Sequence, residues 1–333
     1  MKRRVFLMGL TGCSSGGPRL NVFNWSNYVG PDTIRKFEAQ SGVHVRYGIY
    51  ESNEEMLARV QSGNSGWDVV FPSNYLIRPM REQGLLAPLD RALLPNLSNL
   101  DERFRAPAWD ERLEWSLPYM WGASGIVFRR EIAPKLTSWA GLWREDLQGR
   151  ITMLDDPAEV LGACLKKLGY SINSTDPEEL RLAQREAVAQ KRMLRAYLNA
   201  EVRDSLIAGD VQAAHLWATT AQQAMDAQSE LEFVYPSEGF ALYADCAGIL
   251  RESRRFELAH RFLNYLLEPE VAVGVVAATR TATANGAARR LLNETNATLY
   301  PPAEVLARGE WFQALPAAAQ RLRDRLWTEI KSA

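Results

Sequence analysis

Three short segments, far apart in the chain, each bring a polar end together with a ring or a carboxylate: Trp25-Ser26-Asn27-Tyr28, Asp156 to Glu159, and Tyr243 with Asp245. With Trp217 they supply flat apolar faces beside negative groups. That is the chemistry needed to hold a small organic cation with a hydrocarbon body. No set of His, Cys or Ser at nucleophile and base spacing competes with them. His44, His215 and His260 stand singly in strand or helix patterns without metal-ligand spacing, so packing is their expected role. Binding, with no catalytic residue, metal or cofactor, is the expectation. A hydrolase using Asp156 and Glu159 as acid and base fits poorly. Groups one helical turn apart share a face, whereas glycoside cleavage needs carboxyls on opposite sides of the bond.

Each candidate also has a plain structural reading. Asp156-Pro157-Ala158-Glu159 has the form of a helix capping box, with Asp at the cap, Pro in the first turn and a Glu able to reach back. At the positive end of that helix, either carboxylate is kept ionised. Trp25 and Tyr28 fall between a strand and a helix, where a ligand platform is more natural than a core role. Trp217 ends an apolar run and fits a core as well as a platform. Asp245 lies within an apolar strand, where an unpaired carboxylate is costly. Either an Arg neutralises it or a ligand ammonium does.

The elements that must position these residues are legible. The first third alternates strand and helix: strands at 19–23, 43–50 and 67–71, helices from Pro31 to a stop at Gly42, over 53–61, and over 75–83. Such units imply a parallel sheet flanked by helices, with ligands at the carboxyl ends of the strands. Residues 24–28 and 72–75 fall there. Two extended stretches, 115–121 and 124–128, then run almost consecutively, as at a crossing between domains. A second set follows: a strand at 150–154, helices over 157–168 and within 176–197, a helix over 201–208, and strands at 211–217 and 231–235. The strand at 241–250 carries the chain back, and a helix with Leu322, Leu326 and Ile330 on one face closes it. Two α/β lobes joined by more than one crossover make a hinged pair with a cleft between them. The lobes are expected at 19–122 with 245–289, and at 123–244 with 290–333.

At 333 residues, the length suits two domains. The net charge of −1, with no basic stripe, argues against nucleic acid as a partner. Residues 1–18 read as an address. Lys2, Arg3 and Arg4 precede a six-residue apolar run, just under the usual span of about 7–15. Leu10-Thr11-Gly12-Cys13 resembles a bacterial lipobox and Arg3-Arg4 the start of a twin-arginine signal, so export and lipidation at Cys13 are expected. Membrane contact is expected through that anchor alone. A short tether follows at 14–18. Cys164 and Cys246 remain, and a bridge between them is left open.

Ordered short motifs from about residue 20 to the C-terminus carry a resemblance: Asn24-Trp-Ser-Asn-Tyr28, Tyr50-Glu-Ser-Asn-Glu54, Phe71-Pro-Ser-Asn-Tyr75, Leu117-Pro-Tyr-Met-Trp-Gly122, Asp155-Asp-Pro-Ala-Glu-Val160, Lys167-Leu-Gly-Tyr170, Phe262-Leu-Asn-Tyr-Leu-Leu267 and Asn285-Gly-Ala-Ala288. The chain resembles the spermidine- and putrescine-binding proteins of bacterial ABC importers. The resemblance implies a two-lobed periplasmic-binding-protein fold, a polyamine ligand, and delivery by a monomer to permease subunits. It implies aromatic walls at Trp25 and Tyr28, polar contacts at Ser26 and Ser73, and a further ring at Tyr75. It also implies an acidic pair at Asp156 and Glu159, a platform at Trp217 and an ammonium partner at Asp245. Asn27 stands where the family usually has Asp or Glu, Tyr243 where it has Trp or Phe, Thr281 where it often has Tyr, and Phe312 where the spermidine binders have Gln. Another cationic or zwitterionic amine, or a ligand-sensing lipoprotein, is the alternative reading.

Overall fold

The computed structural model describes residues 17–292 and 295–333; Cys13 and the expected export signal lie outside the described residues. Eleven strands are present among them: β1 (Arg19–Trp25), β2 (His44–Tyr50), β3 (Val69–Val70), β4 (Leu117–Arg129), β5 (Ile151–Met153), β6 (Leu194–Tyr197), β7 (Ala213–Trp217), β8 (Leu231–Val234), β9 (Phe240–Ile249), β10 (Ala282–Thr283) and β11 (Gly309–Trp311). Hydrogen bonding orders them β2-β1-β3-β9-β4-β7-β5-β6, with β8 and β10 on β4 and β11 on β9.

Two parallel sets stand at the ends of this order, β2-β1-β3 and β7-β5-β6. The inner strands β1 and β5 are buried on both faces, whereas the edge strands β2 and β6 keep exposed positions. In β1 the five central residues are all buried. Between the sets run β4 and β9, antiparallel to each other. The first half of β4 pairs with β9, while Ser124–Phe128 pairs with β7. At the other end of β9, Gly248 and Ile249 pair with β3. These two long strands therefore belong to both lobes, and the two-lobed arrangement follows from them. The two extended stretches read from sequence at 115–121 and 124–128 are one continuous strand.

The helices start and stop where local chemistry dictates. Asp156 caps the helix Pro157–Lys167, accepting from the amides of Ala158 and Glu159, with Pro in the first turn and two Lys in the last. The helix Val202–Ala208 ends at Gly209, whose φ of 87° is the left-handed conformation that stops a helix cheaply. Sequence reading missed β6. The helix within 176–197 ends at Lys191, and residues 194–197 join β5 as an edge strand. Four residues beside a strong helix are too short to show period-two alternation, so only pairing reveals them. Cys164 and Cys246 are free, buried thiols in a helix and in β9, so no bridge joins them.

Where β4 and β9 pair, Gly122 lies opposite Tyr243. A Cβ at 122 would sit 2.5 Å from the tyrosine hydroxyl oxygen and 2.7 Å from the carbon that bears it. Glycine is thus what lets the bulky ring at 243 lie flat on the shared strands. Gly122→Ala should destabilise the protein by about 1–3 kcal/mol through overpacking, read as a lower midpoint in urea. An unchanged midpoint would mean that the ring is free to move.

Candidate ligand-binding site

The loops that follow β1, β3, β5 and β7 converge on one cleft of about 850 Å³, part of it open to solvent. Trp25, Ser26, Tyr28, Ser73, Tyr75, Asp156, Glu159, Trp217, Tyr243 and Asp245, the ten residues singled out from sequence, all line it. Chain order separates them by up to 220 positions; the strand ends bring them together.

Asp245 forms the floor. Its carboxylate is buried at 2 % exposure and accepts hydrogen bonds from the Tyr28 hydroxyl at 2.6 Å and the Ser73 hydroxyl at 2.7 Å. Among the described residues no Lys, Arg or His pairs with it; the nearest donors are all neutral. Burial pushes the carboxyl up to about 6, against the opposing pull of the Tyr28 and Ser73 hydrogen bonds. Burial, and then the negative charge of Asp245, hold the Tyr28 phenol well above its ordinary value, so it remains a donor. The side-chain amide of Asn53 donates to the Ser73 and Tyr75 hydroxyls, each at 3.0 Å, and fixes both groups from below. The indole N–H of Trp25 donates to the carbonyl of Phe71 at 2.8 Å, which sets the angle of that ring.

The opposite wall comes from the second lobe. Glu159, 3 % exposed, accepts from the Ser124 hydroxyl at 2.7 Å and from the Trp217 indole N–H at 3.1 Å. With its oxygens so engaged, it does not reach back to complete a capping box; only the Asp156 half of that motif forms. The Nε2 atom of His215 lies 3.4 Å from Glu159 without the alignment of a hydrogen bond. Asp156 lies at the cleft surface, partly reached by solvent. Burial, then the charges of Glu159 and Glu54, raise its carboxyl well above the usual range and outweigh the two backbone amides that oppose the shift, so the helix end does not keep Asp156 ionised as its position predicts. The neighbouring Asp155 is turned away and pairs with Lys331. A site with this much unneutralised acid, flanked by Trp25, Trp217 and Tyr243, offers a cation both charge and ring faces.

Several lining residues were not assigned from sequence: Glu51, Asn53, Asn199, Thr219, Thr220 and Gln223. Glu51 and Asn53 stand inside a motif that was noted, at the end of β2. Asn199 follows the missed strand β6. Thr219, Thr220 and Gln223 follow Trp217 and carried no signal of their own. Phe312 and Asn27 also line the cleft, whereas Thr281, buried next to β10, does not. Beside the cleft, Gln223 donates to the Thr279 carbonyl at 2.7 Å and Arg280 pairs with Asp226 at 2.7 Å, tying the helix after β7 to the end of the helix Pro269–Thr279. Among the described residues no His/Cys/Asp/Glu group has the makings of a metal site, and no single helix is long and apolar enough to cross a membrane.

Two lobes sharing a pair of strands, with a small-molecule cleft at the converging strand ends, define a solute-binding protein of the periplasmic type. The comparisons agree. The family described as bacterial extracellular solute-binding protein matches residues 32–297, and the chain belongs to it. Over 319 residues it is 35% identical to the spermidine/putrescine-binding periplasmic protein of Escherichia coli, covering 94% of this chain and 91% of that one. It is 31% identical to the putrescine/cadaverine-binding protein of Pseudomonas aeruginosa, covering 98% and 97%. Among solved structures, a putative spermidine/putrescine ABC transporter protein from Listeria monocytogenes superposes with a TM-score of 0.90 at 30% identity, over 94% of this chain and 98% of that one. The Tp0655 (TpPotD) lipoprotein of Treponema pallidum gives 0.85 at 30% identity, over 94% and 99%. These relatives are binding proteins, not enzymes, and the family acts outside the cytoplasm.

The unpaired acid has a consequence for stability. In the unfolded chain the Asp245 carboxyl titrates near 3.9, and in the fold it is raised to about 6. The native state therefore holds the extra proton between those values, and stability falls as pH rises through about 6. Asp245→Asn should stabilise the ligand-free protein near neutral pH, by up to about 3 kcal/mol, and by about half as much near pH 5. Thermal unfolding at the two pH values checks this. A variant that melts lower at both would show that the charge is not a burden on the fold.

Proposed function

We propose that this protein binds a linear polyamine, a di- or triamine, in the cleft and delivers it as a monomer to the permease subunits of an ABC importer. The observation that carries the reading is Asp245: a buried carboxylate with no cation of its own, facing the same cleft as three large rings. The printed ligands of the relatives support the choice of a polyamine. One ammonium pairs with Asp245 and takes the place of the missing countercharge. The other lies toward Asp156 and Glu159. The methylenes run across Trp25, Trp217 and Tyr243, where each cation–ring contact contributes about 0.5–2 kcal/mol and the charged hydrogen bonds contribute more.

Because the acids and rings come from both lobes, the ligand makes its full set of contacts only when the lobes are closed. Its differential affinity for that state draws the equilibrium toward closure. We take the lobes as 19–122 with 245–289 and 123–244 with 290–333, which places two boundaries in β4 and β9 and the third within the helix Gly286–Leu292. Phe312 closes part of the cleft with a ring that offers no hydrogen bond, stacked edge-on against Tyr75 at 5.8 Å. Asn27 favours a second reading, in which the ligand is a shorter or zwitterionic amine, because a neutral amide stands where a carboxylate would meet an ammonium. A sensing role would use the same cleft, and the chemistry of the ligand would be the same.

Calorimetry with putrescine, spermidine, agmatine and betaine tests the assignment. A polyamine should bind with the tightest constant, and Asp245→Asn should weaken it at least about tenfold, the loss of one charged contact. Tightest binding of betaine would move the assignment to zwitterions. We also assign Cys13 as a lipid attachment site, on the lipobox pattern. Labelling of cells with a palmitate analogue should mark the wild-type protein and not Cys13→Ala; equal labelling would remove the anchor.

A further inference from the structure

A fourth carboxylate, Glu51, lines the cleft and is not among the ten residues above. Strands β1 and β2 run parallel with Trp25 opposite Tyr50, so the residues that follow each strand emerge side by side at the mouth of the cleft. The Ser26 amide still donates to the Tyr50 carbonyl at 3.3 Å, which holds the two loops together for one more step. There the Ser26 hydroxyl donates to Oε2 of Glu51 at 2.9 Å. Oε1 of Glu51 meets no donor, and no Lys, Arg or His pairs with this residue among the described residues. Glu51 lines the cleft beside Trp25, Tyr28 and Asn27.

Of its acidic neighbours, Glu54 lies toward Tyr75 and Asp156 and lines a separate pocket. Glu55 accepts from the Glu51 amide and donates its own amide to Ser52 at the start of the helix Asn53–Gln61. Asn27 is neutral, and its φ of 56° presents its side chain at the same mouth. Residue 27 thus brings no charge to the mouth, while its neighbour one strand over presents a carboxylate with one oxygen free.

Resting on the polyamine reading, we propose that Glu51 receives the ammonium at the cleft mouth in place of residue 27, and so helps set which amines bind. While the cleft is open the carboxylate stays hydrated; closure over a ligand removes that water and strengthens the pairing. The Ser26 hydroxyl orients the carboxylate rather than competing with it, because it engages only one of the two oxygens.

Calorimetry with putrescine on the whole protein tests this with two variants. Glu51→Gln keeps an acceptor for the Ser26 hydroxyl and removes only the charge. It should weaken putrescine about fivefold at low salt, with the difference shrinking at high salt as an exposed pairing is screened. The double variant E51Q/N27D moves the charge to the neighbouring loop, where Asp tolerates a positive φ, and should restore most of the affinity. If E51Q binds putrescine like the wild type, or if N27D restores nothing, Glu51 only ties two loops together and the proposal falls. If the wild type itself binds no polyamine, the polyamine reading fails first and takes this proposal with it.

Discussion

A carboxylate buried without a countercharge is the constraint around which the rest of the protein is arranged. In water an aspartate is ionised and well solvated; in a protein interior the charged form is destabilised unless something replaces that solvation. At Asp245 the fold provides two hydroxyl donors and, among the described residues, no cation. That leaves the group poised near pH 6, able to accept a positive charge at neutral pH with little competition from within the protein. Had the fold supplied an Arg or Lys, the same residue would be a structural ion pair and the cleft would have no use for an amine.

The architecture makes that poised group accessible and then enclosable. Asp245 lies on β9, one of the two strands that belong to both lobes, and so stands between the two walls of the cleft. Tyr28 and Ser73 reach it from the ends of β1 and β3 in the first lobe, and Trp217 and Glu159 face it from the ends of β7 and β5 in the second. Gly122 allows Tyr243 to lie over the shared strands without strain. The site thus has a floor on the shared strands and a wall from each lobe, an arrangement in which a ligand that contacts the floor and both walls would favour closure.

Much of this was legible in the sequence, and the parts that were not share a cause. Alternating strand–helix units with glycine stops gave the parallel sets, because period and punctuation are local properties. The chemistry of Asp245 was visible too, since an acid inside an apolar strand is a conflict at one position. What needed three dimensions was partnership. Asp156 had the signature of a capping box, but only the structure shows that Glu159 abandons the box for Trp217 and Ser124. Asn53 is an ordinary helix-start residue until its amide is seen holding Ser73 and Tyr75. Strand β6 has four residues and no period to read, and with it went Asn199. Glu51 sat inside a recognised motif, yet nothing in that stretch says that its loop emerges beside Asn27; parallel pairing of β1 with β2 does.

The central claim is that a ligand ammonium takes the place of a proton on Asp245, and proton release on binding measures that directly. Calorimetry of putrescine binding at pH 6, in buffers of different ionisation enthalpy, counts the protons leaving the complex. The wild type should release about half a proton more than Asp245→Asn, since the free carboxyl is then about half protonated and the bound one is ionised. Equal release from the two proteins would contradict the account, because the amine would then be held by groups other than Asp245.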